Sequence, residues 1–266
     1  MNCHVCDAAT SPFSRGLILH KYDVQYYRCP ACGFIQTESP FWLDEAYSSA
    51  ITNTDIGPIN RMMDTTSKTA AVLLSFFDAH GKYVDYGGGY GLFVRRMRDI
   101  GFDYRYYDKY CENIFSGGFE VPIESPHEAE YELATAFEVI EHMANECEGM
   151  REVTRFSRSI FFSTEIIPAD TPKPGEWWYY SPEHGQHISF FTRTSLYRLA
   201  TRLGLRLYTH GSFHLMTDKR LNPRLYRMVL NEKLTPAIVY ILSRYHKINS
   251  LLQDDWQRLL KNESTR

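Results

Sequence analysis

The seven residues from Asp85 to Gly91 read Asp-Tyr-Gly-Gly-Gly-Tyr-Gly and follow a short apolar run. Glycine at that density leaves the main chain bare, so a ligand can lie directly against it. The spacing excludes two common ligands of such loops. A dinucleotide pyrophosphate calls for Gly-x-Gly-x-x-Gly, but the last position falls on Leu92 when read from Gly87 and on Val94 when read from Gly89. A phosphate-cradling loop needs Gly-Lys-Ser/Thr, which does not follow. The ligand expected here therefore carries no phosphate at the loop.

A second set of reactive residues opens the chain. Cys3-His-Val-Cys6 and Cys29-Pro-Ala-Cys32 are two Cys-x-x-Cys knuckles with 22 residues between them. Such a pair can present four thiolates to one tetrahedral zinc, and Gly33 suits the tight turn after the second knuckle. Four thiolates leave no coordination position open, so this zinc is expected to be structural. The stretch between the knuckles has strand character, as in a zinc ribbon. Cys111 and Cys147 are isolated and read as ordinary core or surface residues.

The elements that must position these residues alternate. A helix is expected over 60–81, a strand at "KYVDYG", a helix from Tyr90 to Gly101, and a strand ending on Asp108. Further strands are expected at "YELATAFEV" and "SIFFSTEI", with one helix between them over "IEHMANECEGMREVTRFS". Thr192 can cap a helix that Gly204 ends, with Leu196, Leu199, Ala200 and Leu203 on one face. "LRLYTHG" and "FHLMT" close the pattern. Alternation of this kind implies an α/β, Rossmann-like doubly wound sheet with ligands at the C-terminal ends of its strands. In the tail, Asn222-Pro223 and Thr235-Pro236 each offer a cap followed by proline at the first helical position. The second of these helices carries an apolar stripe from Ile238 to Leu259. The expected organisation is a zinc-binding ribbon over 1–40, a helical cover over 41–80, a ligand-binding α/β domain over 81–218 and a basic helical tail over 219–266.

Asp85 to Gly91, in the pattern acidic-x-Gly-x-Gly-x-Gly, resembles the first motif of class I S-adenosylmethionine-dependent methyltransferases. The resemblance implies that Asp85, Tyr86, Gly87, Gly89 and Gly91 bind the amino-acid end of the cofactor, with the carboxylate supporting the loop and the ligand's ammonium. Asp108, 17 residues after Gly91, would take both ribose hydroxyls. "TAFEVIEHM", residues 135–143, is similar to a run at the end of the fourth strand of small-molecule members. Phe137 would then flank the cofactor and Glu141-His142 would open the next helix. Members usually carry an Asp early in this strand, where Glu132 stands here. Taken singly, Asp108 reads equally well as a strand-end cap and Phe137 as a core residue.

Residues 173–196 are too aromatic for an ordinary connection. Trp177, Trp178, Tyr179 and Tyr180 are consecutive, which argues against all four facing one core and for a lid or binding loop. Here the chain resembles bacterial sugar and glycan-pathway methyltransferases with an N-terminal four-cysteine module. Gln186-His187-Ile188-Ser189-Phe190-Phe191 matches their Glu-His-Phe-Ser-Tyr-Phe-like run, except that Gln186 replaces the acid. His187 is the implied general base, with Glu165 and His142 as further candidates, and a backbone-bonded histidine is the structural alternative. His184 and His187 as a metal pair lack further ligands nearby in sequence. The resemblance covers residues 1 to about 218 and leaves the tail outside.

Composition narrows the partners. Residues 219–266 carry a net charge of +6 and the rest −9. The first 40 residues balance at zero, which disfavours a nucleic-acid reader. The expected acceptor is a sugar, nucleotide sugar or glycan precursor. An RNA methyltransferase and a non-catalytic scaffold are the competing readings. The tail either holds an anionic acceptor, approaches a membrane surface, packs on the sheet or joins a homodimer. No signal pattern opens the chain and no apolar stretch is long enough to span a bilayer, so the cytoplasm is the expected compartment.

Overall fold

The computed structural model describes residues 1–47, 56–121 and 131–263. Of the expected 41–80 cover, residues 48–55 lie outside the described residues. The chain divides into two compact units. One comprises Met1–Asp55, Phe137–Val153 and Phe162–Asp218, and the other Ile56–Ala136, Thr154–Phe161 and Lys219–Arg266.

The first unit opens on a hairpin of β1 (Ser11–Ile18) and β2 (Tyr22–Arg28), continued by β3 (Ile35–Thr37), a short helix α1 (Leu43–Ala46), and β8 (Ser189–Phe190). These strands form one sheet in the order β1-β2-β3-β8, and all three pairings are antiparallel. Val24 and Tyr26 alternate inward along β2 and join Ile35, Trp42 and Phe190 in an apolar core. Tyr179 and Tyr180 belong to that core and Trp177 packs against it, while Trp178 is 71% exposed. A 3-10 turn over Trp178–Tyr180 explains how consecutive aromatics manage this. At three residues per turn, positions 177 and 180 share a side, and their rings meet at 5.6 Å. The aromatic run is thus largely core rather than a free lid.

In the second unit, α2 (Pro58–Phe76) buries Thr66, Thr69, Ala70, Leu73 and neighbouring residues, and β4 (Lys82–Tyr86), α3 (Leu92–Asp99), β5 (Asp103–Tyr107) and β6 (Leu133–Ala136) follow. β4 lies between β5 and β6 and is parallel to both. Three further strands follow along the chain: β7 (Ser159–Ser163), β9 (Arg206–His210) and β10 (Phe213–Thr217). β9 and β10, in the first unit, form an antiparallel hairpin, so the strand pairing of this α/β chain is not uniformly parallel.

Several expectations need correction. The single helix over 140–157 is a 3-10 turn, Ile140–His142, followed by α4 (Glu146–Val153). Asn145 interrupts it: its side-chain oxygen accepts from the Glu148 amide at 3.2 Å, which starts a new helix there. The long tail helix is also two, α7 (Thr235–Tyr245) and α8 (Leu252–Glu263), broken where Lys247 takes a left-handed φ of 55°. Thr235 does not cap α7; its hydroxyl contacts the carbonyls of Val229 and Asn231. Thr192 does cap α5 (Arg193–Arg202), in a reciprocal box with Ser195, and Asn222 caps α6 (Pro223–Val229).

The tail packs within the second unit. α7 and α6 lie against α2. The α7–α8 connection passes so close to Gly101 that a Cβ there would stand 2.4 Å from the Asn249 carbonyl oxygen. From α8, Asp255 accepts from Arg98 Nε at 2.8 Å and Nη2 at 2.6 Å. Arg98 also donates to Asp103 and to the Tyr104 carbonyl, and its guanidinium lies 3.9 Å from the centre of the Phe119 ring. Removing one partner of a buried ion pair leaves the other charge uncompensated. Asp255→Ala is therefore expected to destabilise the protein by about 3 kcal/mol, read as a lowered midpoint in urea unfolding.

Candidate functional site

The connection from β4 to α3 is built on left-handed backbone. Gly87, Gly89 and Gly91 have φ of 72°, 55° and 81°, values that side chains disfavour. A Cβ on Gly91 would strike Asn113 and Ser116 at 2.2 and 2.5 Å, whereas one on Gly89 would meet nothing within 4 Å. Gly91 is thus needed for close packing, while Gly89 turns bare backbone to open space. Asp108, just past β5, fastens this loop: its Oδ2 accepts from the Gly89 amide at 2.9 Å. Its Oδ1 accepts from the Tyr110 and Cys111 amides at 2.8 and 2.9 Å. A carboxylate has about four lone-pair sites, so with three amides bound about one remains for a ligand hydroxyl.

Asp85 ends β4 almost fully buried, and its Oδ1 accepts from the Thr135 hydroxyl at 2.6 Å. Burial, reinforced by the charge of Asp108, pushes its carboxyl up to about 7. Tyr86 packs its ring against Tyr107 and Phe156. Phe137 follows β6 directly and meets the Phe213 ring edge-on at 6.3 Å.

At the knuckles, the sulfurs of Cys3 and Cys32 lie 3.6 Å apart, those of Cys6 and Cys29 3.5 Å, and those of Cys6 and Cys32 3.6 Å. Four thiolates at 2.3 Å from a tetrahedral zinc stand about 3.8 Å from one another. A disulfide would bring two sulfurs to about 2 Å, and all four cysteines are free. The donor set and spacing fit a closed zinc site. Within the first unit the second knuckle is pinned to the start of α5 by Thr192, whose hydroxyl donates to the Cys32 carbonyl at 2.6 Å.

The first unit also gathers titratable groups around the 3-10 turn. The imidazoles of His142 and His187 are 4.9 Å apart, centre to centre. His187 Nδ1 lies 2.7 Å from the Tyr179 carbonyl oxygen. A carbonyl only accepts, so Nδ1 carries the hydrogen and Nε2 keeps its lone pair. His142 Nδ1 pairs with the Tyr47 hydroxyl at 2.7 Å. Burial holds both imidazoles below the usual histidine range, with the neighbouring imidazole adding to the effect on His142. Glu141 is fully buried, takes a hydrogen bond from the Tyr179 hydroxyl, and is pushed well up by burial and then by the charge of Glu138. Glu165 is raised by burial and by Glu138.

The cluster brings together two of the three expected catalytic candidates, His142 and His187. Glu165 acts on it through charge and makes no hydrogen bond to either imidazole. Sequence reasoning placed Tyr179 only in an aromatic binding loop and missed Glu138. Glu138 is held at a left-handed φ of 53° by a reciprocal pair of bonds with Ser163, the kind of local strain that collects at functional sites. No pattern announces a tyrosine whose carbonyl and hydroxyl serve two different side chains.

A family model described as a methyltransferase domain matches residues 60–210, more than half of the chain. The chain belongs to that family. No curated protein matches the sequence. Among solved structures, the chain is similar to Burkholderia thailandensis 1,6-didemethyltoxoflavin-N1-methyltransferase, bound to 1,6-didemethyltoxoflavin and S-adenosylhomocysteine. There the identity is 13% and the TM-score 0.48, over 79% of this chain and 97% of that one. Human N-acetylserotonin methyltransferase in complex with S-adenosylmethionine matches with 14% identity and a TM-score of 0.43, over 67% of this chain and 66% of that one. CalO1, a methyltransferase in calicheamicin biosynthesis in its S-adenosylhomocysteine-bound form, matches with 15% identity and a TM-score of 0.41, over 59% of this chain. The matched part spans 55% of that chain's length.

The buried acid at the end of β4 gives the methyltransferase domain a testable signature. Between about pH 4 and pH 7 the folded protein keeps a proton on Asp85 that the unfolded chain has lost. Its contribution to stability is therefore present at low pH and disappears as the pH rises through 7. Asp85→Asn is expected to flatten that part of the stability profile, measured by urea unfolding at a series of pH values.

Proposed function

We propose that the chain transfers a methyl group from S-adenosylmethionine to a small-molecule acceptor, a sugar, nucleotide sugar or glycan precursor. The observation that supports this most is the glycine loop itself. Gly89 offers bare backbone to open space while its amide is tied to Asp108, the residue proposed for the ribose hydroxyls. Asp85, Tyr86, Gly87 and Gly91 complete the proposed cofactor loop, and Phe137 is proposed to flank the bound cofactor. Membership of the methyltransferase domain family is consistent with that assignment. Cys3, Cys6, Cys29 and Cys32 are proposed to hold one structural zinc.

The sulfonium of the cofactor is already a strong electrophile, so the protein's main task is to align acceptor, methyl and sulfur. A hydroxyl or carbon acceptor also needs its proton removed. His187, His142 and Glu165 are the groups proposed for that proton, and burial has set all three away from their ordinary affinities. Trp178, 71% exposed, is the aromatic of this run whose ring is open to stacking against a sugar face. Among the described residues no helix is long and apolar enough to cross a membrane. A cytoplasmic enzyme acting on an activated sugar is the reading adopted.

The test is turnover with a panel of nucleotide sugars, read as S-adenosylhomocysteine release and as the mass of one added methyl group on the acceptor. Release that depends on one sugar acceptor is expected. Release that depends only on RNA would overturn the acceptor class, and cofactor binding without transfer to any acceptor would favour a scaffold.

A further inference from the structure

We infer that Glu141, His142 and His187 form a second metal site, distinct from the four cysteines and specific for a divalent transition metal with nitrogen and oxygen ligands. One ligand atom from each of the three lies within 4.8 Å of the other two. Ligands about 2.1 Å from such an ion stand roughly 3 to 4 Å from one another, so binding needs a contraction of about 1 to 2 Å at most.

The surroundings are those of ligands already oriented for a metal. Each group has one polar atom engaged by the protein and another left over. His187 donates its Nδ1 hydrogen to the Tyr179 carbonyl, and His142 Nδ1 is paired with the Tyr47 hydroxyl. His187 therefore keeps Nε2 for an ion, and His142 does so when its Nδ1 donates to the Tyr47 oxygen. Holding a ligating imidazole through its other nitrogen is the usual way a protein sets its tautomer and direction. Glu141 repeats the arrangement: Oε1 accepts from the Tyr179 hydroxyl, while Oε2 is buried with no hydrogen-bond partner. An unpartnered carboxylate oxygen buried beside two imidazoles is costly unless something binds it. Tyr179 thus orients two of the three ligands, His187 by its carbonyl and Glu141 by its hydroxyl.

The donor set decides the class of ion. Two imidazoles and one carboxylate suit zinc, iron, cobalt or manganese, whereas an all-oxygen set would suit magnesium or calcium. Three protein ligands leave positions open, as at a catalytic centre, in contrast to the closed cysteine site. His142 and His187 then serve as ligands, and the acceptor's proton falls to Glu165. His184 takes no part in the cluster, so the metal site is not the histidine pair visible in the sequence. The metal site stands or falls independently of the cofactor reading, because metal binding is measured on the resting protein.

The test uses the full-length protein with its cysteines loaded with zinc, titrated with Co2+ and followed by visible absorption and elemental analysis. The expected result is one cobalt per chain beside one zinc, with weak ligand-field bands and no thiolate-to-cobalt charge transfer. His187→Gln and His142→Gln should each weaken cobalt binding by about tenfold or more. Retained zinc and an unchanged circular-dichroism spectrum would show that the variants are folded. No cobalt uptake, uptake only with thiolate charge transfer, or uptake indifferent to both variants would overturn the site.

Discussion

The arrangement at the end of β4 depends on backbone that turns left-handed three times within five residues. Gly87, Gly89 and Gly91 adopt that conformation at no steric cost, which lets β4 hand over to α3 without a side chain standing in the way. The turn is not held by glycine alone. Asp108 grips the Gly89 amide, and the Tyr107 carbonyl takes the Gly87 amide at 2.8 Å, so β5 fixes the loop from its flank. The same parallel register that pairs Asp85 with Tyr106 and Thr135 places the Thr135 hydroxyl on the Asp85 carboxylate. Sheet, loop and buried acid are thereby one construction.

The first unit solves a different problem, that of keeping polar groups ready inside an aromatic core. Tyr26, Tyr180 and Phe190 pack ring to ring, with Tyr180 and Phe190 4.4 Å apart. That packing fixes the 3-10 turn from which Tyr179 reaches both Glu141 and His187. Burial explains why the carboxyl and the imidazoles resist carrying charge. It also explains why each is given a hydrogen-bond partner on one side only.

Much of this was legible in the sequence because it rests on local rules. The glycine spacing excluded a dinucleotide, the knuckle spacing brought four sulfurs within reach of one ion, and Thr192 and Asn222 cap the helices they precede. What the sequence did not disclose rests on distant contacts. Periodicity alone cannot see that Asn145 restarts a helix, or that Lys247 breaks the tail where it must pass Gly101 and deliver Asp255 to Arg98. His187 was visible as a histidine near a helix, but its tautomer is set by a carbonyl eight residues upstream. Glu141 read as part of a helix opening, and only the fold sets it beside the two imidazoles. Four consecutive aromatics argue for a loop open to ligands, but the 3-10 turn leaves Trp178 outside while Trp177, Tyr179 and Tyr180 pack in or against one core.

The loop of residues 85–91 and Asp108 are proposed to receive S-adenosylmethionine together. Calorimetric titration of the zinc-replete protein with S-adenosylmethionine, repeated with Asp108→Ala, tests it most directly. Saturable binding in the micromolar range is expected, abolished by the substitution while the variant stays folded. Absence of binding by the intact protein, or binding that Asp108→Ala leaves unchanged, would contradict it.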